Sequence, residues 1–305
     1  MHESSSVWPA PYRCAVVITF DYNDIHGILT QVPAIAGRDK SLSVWRYGTT
    51  RGIERVLRIL ADQQLPSTWC VPGIVAEENP QAIQAIHAAG HEIACAGYRH
   101  EDFSRLDLEG QRASLKQGCK VIADMTGQRP GGFRAPAGSY APGFVDALRD
   151  EGITWSSSWA GDDLPYLHPP THLDSAPLVE LPLHCELEDE PYFAFNLAPA
   201  VPVSQARIGS SAEVLKNWMH DFKGFHRFGL CYVMRLHPET LGTVGRSGLL
   251  LELLTWLKAQ PDVWFATAEE VADWWSGNHN TLPHDHPAAV FERHRQDNDS
   301  TKSFA

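Results

Sequence analysis

No lysine or arginine cluster stands out in the 305 residues, and the formal net charge is −12. Nucleic acid and anionic membrane are therefore poor partners, since both are bound through concentrated positive charge. No apolar h-region follows the start, MHESSSVWPAPYR. No secretory signal is expected, and the expected location is cytoplasmic. No apolar stretch approaches the roughly 20 residues of a membrane span; the most leucine-rich run is only 249–254. The six cysteines, at 14, 70, 95, 119, 185 and 231, form no close pairs. They read as reduced, mostly buried thiols rather than a disulfide framework. There is neither an internal repeat nor an interdomain linker. With 43% hydrophobic and 20% charged residues, the chain is left as one large globular domain with a real core. Its ten tryptophans suit core and pocket wall.

Short strands alternate with helices along the sequence. Ala15 to Phe20 is a run of strand formers ending in Asp21-Tyr22-Asn23-Asp24. A Gly- and Pro-containing loop follows. Ile53, Val56, Leu57 and Leu60 then repeat at helical spacing. Ser67 to Val71 is a strand closed by Pro72-Gly73. Asn79-Pro80 starts a helix that Gly90 stops. The next strand, 91–96, leads into Tyr98-Arg99-His100-Glu101. Later strands are 131–136, finishing on Arg134 and Pro136, then 153–156, 178–183 within an irregular stretch 157–210, and 230–236, leading into His237. Val263 to Ala266 is the last strand, and Thr267 to Glu270 is a capping box for the last helix. Residues 1–12 read as a loose arm, 13–276 as the α/β barrel, and 277–305 as a polar tail, mobile or in contact with another subunit.

In a parallel barrel, polar residues after successive strands converge on one face. Asp21 suits a general base, Arg134 a guanidinium that orients it, and His237 a general acid. Together they describe hydrolysis of an amide-like bond. Each also has a structural alternative: a turn cap, an ion pair, a satisfied strand-end histidine. Asp162 and Asp163 can line a pocket or start a turn. His284 and His286 read as part of a solvated tail.

At these residues the chain resembles the polysaccharide deacetylase superfamily. It is most similar to the branch that holds a peptidoglycan deacetylase, cyclic imide hydrolases and a metal-independent allantoinase. The blocks are TFDYND (19–24), YGTTRGIERVLRIL (47–60), LPSTWCVPGIVAEENP (65–80), GHEIACAGYRHE (90–101), GFRAPAGSY (132–140), WSSSWAGDDLPY (155–166), ELPLHCELEDEPYF (180–193), MRLHPETLG (234–242) and VWFATAEEVADWW (263–275). The resemblance implies a distorted (β/α)7 barrel. It places Asp21 at the base, Arg134 at its orienter, His237 at the acid and His100 at one metal histidine.

Two expected zinc ligands are replaced. Asn23 stands at the metal aspartate and Ala96 at the first metal histidine. Three readings follow. In the first, the protein is a metal-free hydrolase in which Asn23, His100 and Arg134 polarise the carbonyl. In the second, Asp24 and His26 join His100 in a rebuilt zinc site. In the third, the fold binds without catalysing. The first gives the expectation carried forward: C–N hydrolysis of a small amide, imide or ureide, with Tyr98, Glu101, Asp162 and Asp163 beside the substrate. A sugar or peptidoglycan N-deacetylase is the alternative. A homo-oligomer is expected from the resemblance.

Overall fold

Strand β1 (Cys14–Asp21) pairs with three other strands and is buried along its whole length. The other strands are β2 (Thr68–Val71), β3 (Glu92–Cys95), β4 (Gly132–Phe133), β5 (Trp155–Ser156), β6 (Tyr166–Leu167), β7 (Val179–Glu180), β8 (Cys231–Leu236) and β9 (Val263–Ala266). These come from a computed structural model that describes residues 7–172, 174–193, 209–279 and 281–302. The order is β6-β7-β5-β4-β3-β2-β1-β8, parallel except where β6 pairs β7. One edge of β1 carries β8 over residues 15–20. The other is shared by β9 at residues 14–17 and β2 at 19–21. Beyond β8, a single bridge from Glu188 to Arg235 continues the curl. The expected barrel is this curled, incompletely closed sheet.

The period-2 alternation of a strand separates two cores. Val16, Ile18 and Phe20 face the surrounding helices and join the larger apolar cluster. Ala15 and Val17 face inward, with Cys70, Ala94, Ala96, Trp155 and Val233. Trp155 plugs this interior. Its ring lies where a Cβ on Gly132 would fall, 1.9 Å away, so only glycine fits there. The next inward positions toward the C-terminal end are Thr19 and Asp21 on β1 and Arg235 on β8. Polar chemistry thus begins where the apolar plug ends.

Three expectations are corrected. The loop after Asp24 holds two helices, Asp24–Gln31 and Asp39–Tyr47. The arm is docked from residue 7 onward: Trp8 is 3% exposed and packs on Trp264 and Trp275. Its indole N–H donates to the Gly229 carbonyl at 2.8 Å. The tail includes a helix, Pro287–Lys302, and His286 is buried against Tyr166. The irregular stretch adds β6, and its residues 173 and 194–208 lie outside those described, as do 1–6, 280 and 303–305. Among the described residues, no helix is long and apolar enough to cross a membrane.

Candidate active site

Asp21 ends β1 with both carboxylate oxygens on guanidinium groups. Arg134 donates from Nη1 to Oδ1 at 2.7 Å, and Arg235 from Nε to Oδ2 at 2.6 Å. Burial would raise this carboxyl, but Arg235, Arg134 and His237 outweigh it. Asp21 is held well below the usual carboxylate range and stays ionised. Four of the five Arg134 N–H groups have partners, one of them Asp21. Its Nη1 also donates to Thr19 Oγ1 at 2.7 Å, and its Nε and Nη2 go to Ser157 O and Oγ, each at 2.8 Å. It is 1% exposed. Arg134 therefore holds Asp21 in place and, being enclosed, is not free to polarise a substrate as the metal-free reading expected.

Arg235 was not anticipated, although a signal was present. It is a charge inside the strand CYVMRL, otherwise buried, and such a charge needs a buried partner. Its inward parity aims it at Asp21.

His237 follows β8. Asp189 holds it at two points, accepting from the backbone N–H at 2.8 Å and pairing with Nδ1 at 2.7 Å. Burial would lower the imidazole. Asp189 and Glu190 outweigh burial and push it up to about 10. The ring is thus a cation at neutral pH, with Nδ1 fixed as a donor and Nε2 carrying the other proton. Glu239, next along the chain but one, is raised to about 8, chiefly by burial, and its Oε2 has no partner among the described residues. Sequence reasoning missed Asp189, which sits in a long loop and gains meaning only by contact.

His100 is buried, at φ +58°. A histidine in the left-handed region is strained, a condition that clusters at functional sites. Burial brings its ring down to about 4, so it is neutral at physiological pH, and its Nδ1 has no partner among the described residues. Its carbonyl accepts from Thr30 Oγ1 at 2.6 Å, which fixes the loop.

Several expected contacts do not form. Tyr98 points its hydroxyl to Glu77 at 3.0 Å. Glu101 ties the same loop down, accepting from Ser114 Oγ at 2.7 Å and Tyr98 N at 3.2 Å. Asp162 caps its own turn and pairs with His286 at 3.1 Å, and the Asp163 side chain is 58% exposed. None of these four lines the cavity at the site.

That cavity has a volume of about 80 Å³. Its wall includes Asn23, His100, Glu190, Arg235, His237 and Glu239. Asp21 lies one layer behind, at the back of Arg235. A wider cleft of about 490 Å³, with Tyr140, Trp159 and His168 in its wall, opens on the far side of Ala135.

The residues present do not fit the family's zinc. Asn23 is neutral, and Ala96 lacks a donor and packs in the apolar interior. The rebuilt ligand set does not assemble either. Asp24 accepts four hydrogen bonds, from Ile25 N, Arg46, Thr49 and Asn79. His26 turns its Nε2 to Glu78 at 2.9 Å. Among the described residues, no three His, Cys, Asp or Glu are grouped to hold a metal ion.

The sequence profile of the polysaccharide deacetylase family matches residues 13–156. A solved structure assigned as a polysaccharide deacetylase, from Mycobacterium smegmatis, is 31% identical with a TM-score of 0.82, covering 90% of this chain and 96% of that one. A peptidoglycan deacetylase-like protein of Gibberella zeae is 28% identical over 292 residues, 85% of this chain and 86% of its own. An allantoinase structure shares the fold at a TM-score of 0.76 and 21% identity, covering 92% of this chain and 96% of that one.

Proposed function

The chain belongs to the polysaccharide deacetylase family of carbon–nitrogen hydrolases, and we propose that its substrate is a small amide, imide or ureide. One observation carries this reading. A protonated His237, neutral His100 and Arg235 share the wall of one small cavity, with ionised Asp21 behind them. The cavity volume is about 80 Å³, far less than the roughly 490 Å³ of the cleft beside Ala135. It suits the reacting group of a small molecule better than a sugar ring within a polymer. Glu190, Glu239, Arg235 and Arg246 all stand in the cavity wall, a mixture of carboxyl and guanidinium groups that suits alternating N–H and C=O groups.

In the reaction, water oxygen adds to the carbonyl carbon and the π pair moves onto the carbonyl oxygen. One water proton passes to a base. When the C–N bond breaks, the leaving nitrogen takes a proton from His237 Nε2. Asp21 is the base this reading starts from, since each of its oxygens keeps a second lone pair. Two observations favour a competing acceptor, the Nδ1 of His100. Both groups are weakly basic, but Asp21 is set back from the cavity, whereas His100 lies on the wall with that nitrogen buried and unpartnered.

The test is a turnover panel of small amides, imides, ureides and N-acetyl sugars with wild type, Asp21→Asn, His100→Ala and His237→Ala. Hydrolysis of a small substrate, lost in folded His237→Ala, supports the reading. The larger kcat loss between Asp21→Asn and His100→Ala identifies the base. Turnover of N-acetyl sugars alone would instead favour the deacetylase reading, whose structural support is the wider aromatic cleft beside Ala135.

A further inference from the structure

We propose that Arg235 is the electrophile of this site, holding the scissile carbonyl oxygen in the place of a metal ion. The inference rests on the hydrolase reading above. The guanidinium has three edges of use. Nε donates to Asp21 Oδ2 at 2.6 Å, and Nη1 reaches Glu188 Oε2 at 3.4 Å. Nη2 makes no hydrogen bond to any described residue. That nitrogen is not sealed from solvent. The side chain is 22% exposed, and that exposure is to the cavity whose wall it forms. One edge of a fixed cation is therefore open to whatever enters.

The backbone holds it firmly. Arg235 pairs with Thr19 of β1 in the sheet, and its carbonyl accepts from Asp189 N at 3.3 Å. A guanidinium anchored at two edges presents the third without reorganisation, the condition under which a hydrogen bond stabilises developing charge most. Arg235 and His237 are two residues apart at the end of one strand, so they emerge on the same face. Electrophile and acid come as a unit.

Two of the neighbouring cations cannot serve: Arg134 is enclosed, and Arg46 is spent on Asp24. Arg246 also lines the cavity, with its guanidinium over the Phe193 ring, but among the described residues no carboxylate anchors it as Asp21 anchors Arg235. A metal would lack ligands at Asn23 and Ala96, and it would sit against this guanidinium and the charged His237. The substitutions at 23 and 96 and the arginine at 235 thus belong together: a cation held by side chains is exchanged for one that is a side chain. During hydrolysis, the negative charge that forms on the carbonyl oxygen is met by the Nη2 hydrogens. It returns to re-form the carbonyl as the nitrogen leaves with the proton from His237.

The experiment compares wild type, Arg235→Ala and Arg235→Lys on the small-substrate panel, with methylguanidine added at sub-denaturing concentration. It also measures metal content, zinc binding by calorimetry, and wild-type activity after chelation. The expected result is a kcat loss of about 10²–10³ in Arg235→Ala with KM little changed, the scale for removing one oxyanion donor. Methylguanidine should restore part of that rate in Arg235→Ala and none in His237→Ala. Chelation should leave wild type unaffected. Arg235→Lys keeps a charge beside Asp21, so it tests the forked geometry if the alanine variant does not fold; it too should lose most of its rate. A folded Arg235→Ala or Arg235→Lys enzyme within a few-fold of wild type overturns the proposal. So does stoichiometric zinc with activity lost on chelation. Wild type without turnover on the whole panel overturns the hydrolase reading, and this one with it.

Discussion

Replacing Asp189 by Asn tests the charge on His237 directly. Wild-type Asp189 accepts twice, from the backbone N–H and from Nδ1 of the same histidine. Asparagine has one acceptor oxygen, so one of the two donors must face an amide N–H₂. The ring also loses its nearest negative charge. A hydrogen bond to a charged group is worth about 1.5–3 kcal/mol, and about 1.4 kcal/mol corresponds to one pH unit. The imidazole should therefore titrate roughly 1–2 pH units lower, down from about 10. The assay is kcat/KM against pH. The alkaline limb, where the acid loses its proton, should move toward neutrality by that amount, with reduced activity on the plateau. Stability provides a second check. His237 titrates higher in the folded state than the 6.5 of an ordinary histidine. Its stabilisation is complete below about pH 6.5 and is lost as pH rises toward the folded value. Asp189→Asn should flatten that decline. If the alkaline limb and the stability slope both stay where they are in wild type, His237 does not owe its charge to Asp189, and the assignment of the acid fails.

Two further outcomes follow from packing and backbone. His100→Gly should be more stable than His100→Ala by about 1 kcal/mol, because only glycine adopts the left-handed backbone without cost. Equal midpoints in chemical denaturation would refute the strain. Trp8→Ala should cost about 3–5 kcal/mol, read as a lower melting temperature with kcat per folded molecule unchanged. A melting temperature within a degree of wild type would mean that the arm is not part of the core.

Strands were legible in the sequence because buried parallel strands are short apolar runs between glycine and proline punctuation. Ala15–Phe20, for example, is the heart of β1. The meeting of Asp21 with Arg134 followed from their shared place at strand ends. Contacts made by long loops were not legible. Asp189 shows its meaning only beside His237, and nothing local to Asp24 says that Arg46 and Thr49, on helical segments in a stretch read as loop, will saturate its oxygens. Arg235 was the one missed residue with a local signal. Tyr98 and Glu101 were drawn in by their neighbour His100, but a sharp turn at a left-handed residue sends adjacent side chains in different directions.

The divided edge of β1 has a bearing on how the chain comes to be folded. The first strand to be synthesised is completed by β8 and β9, among the last. At about 5–20 residues per second, roughly 10–50 s separate them. Until then Asp21 has Arg134 within reach but not Arg235, which arrives with β8. The carboxylate that ends the first strand is thus locked last, and the finished pair of ion bridges marks the arrival of β8. Any nascent product lacking β8 would keep that strand's edge open for pairing with another chain, a known route to aggregation.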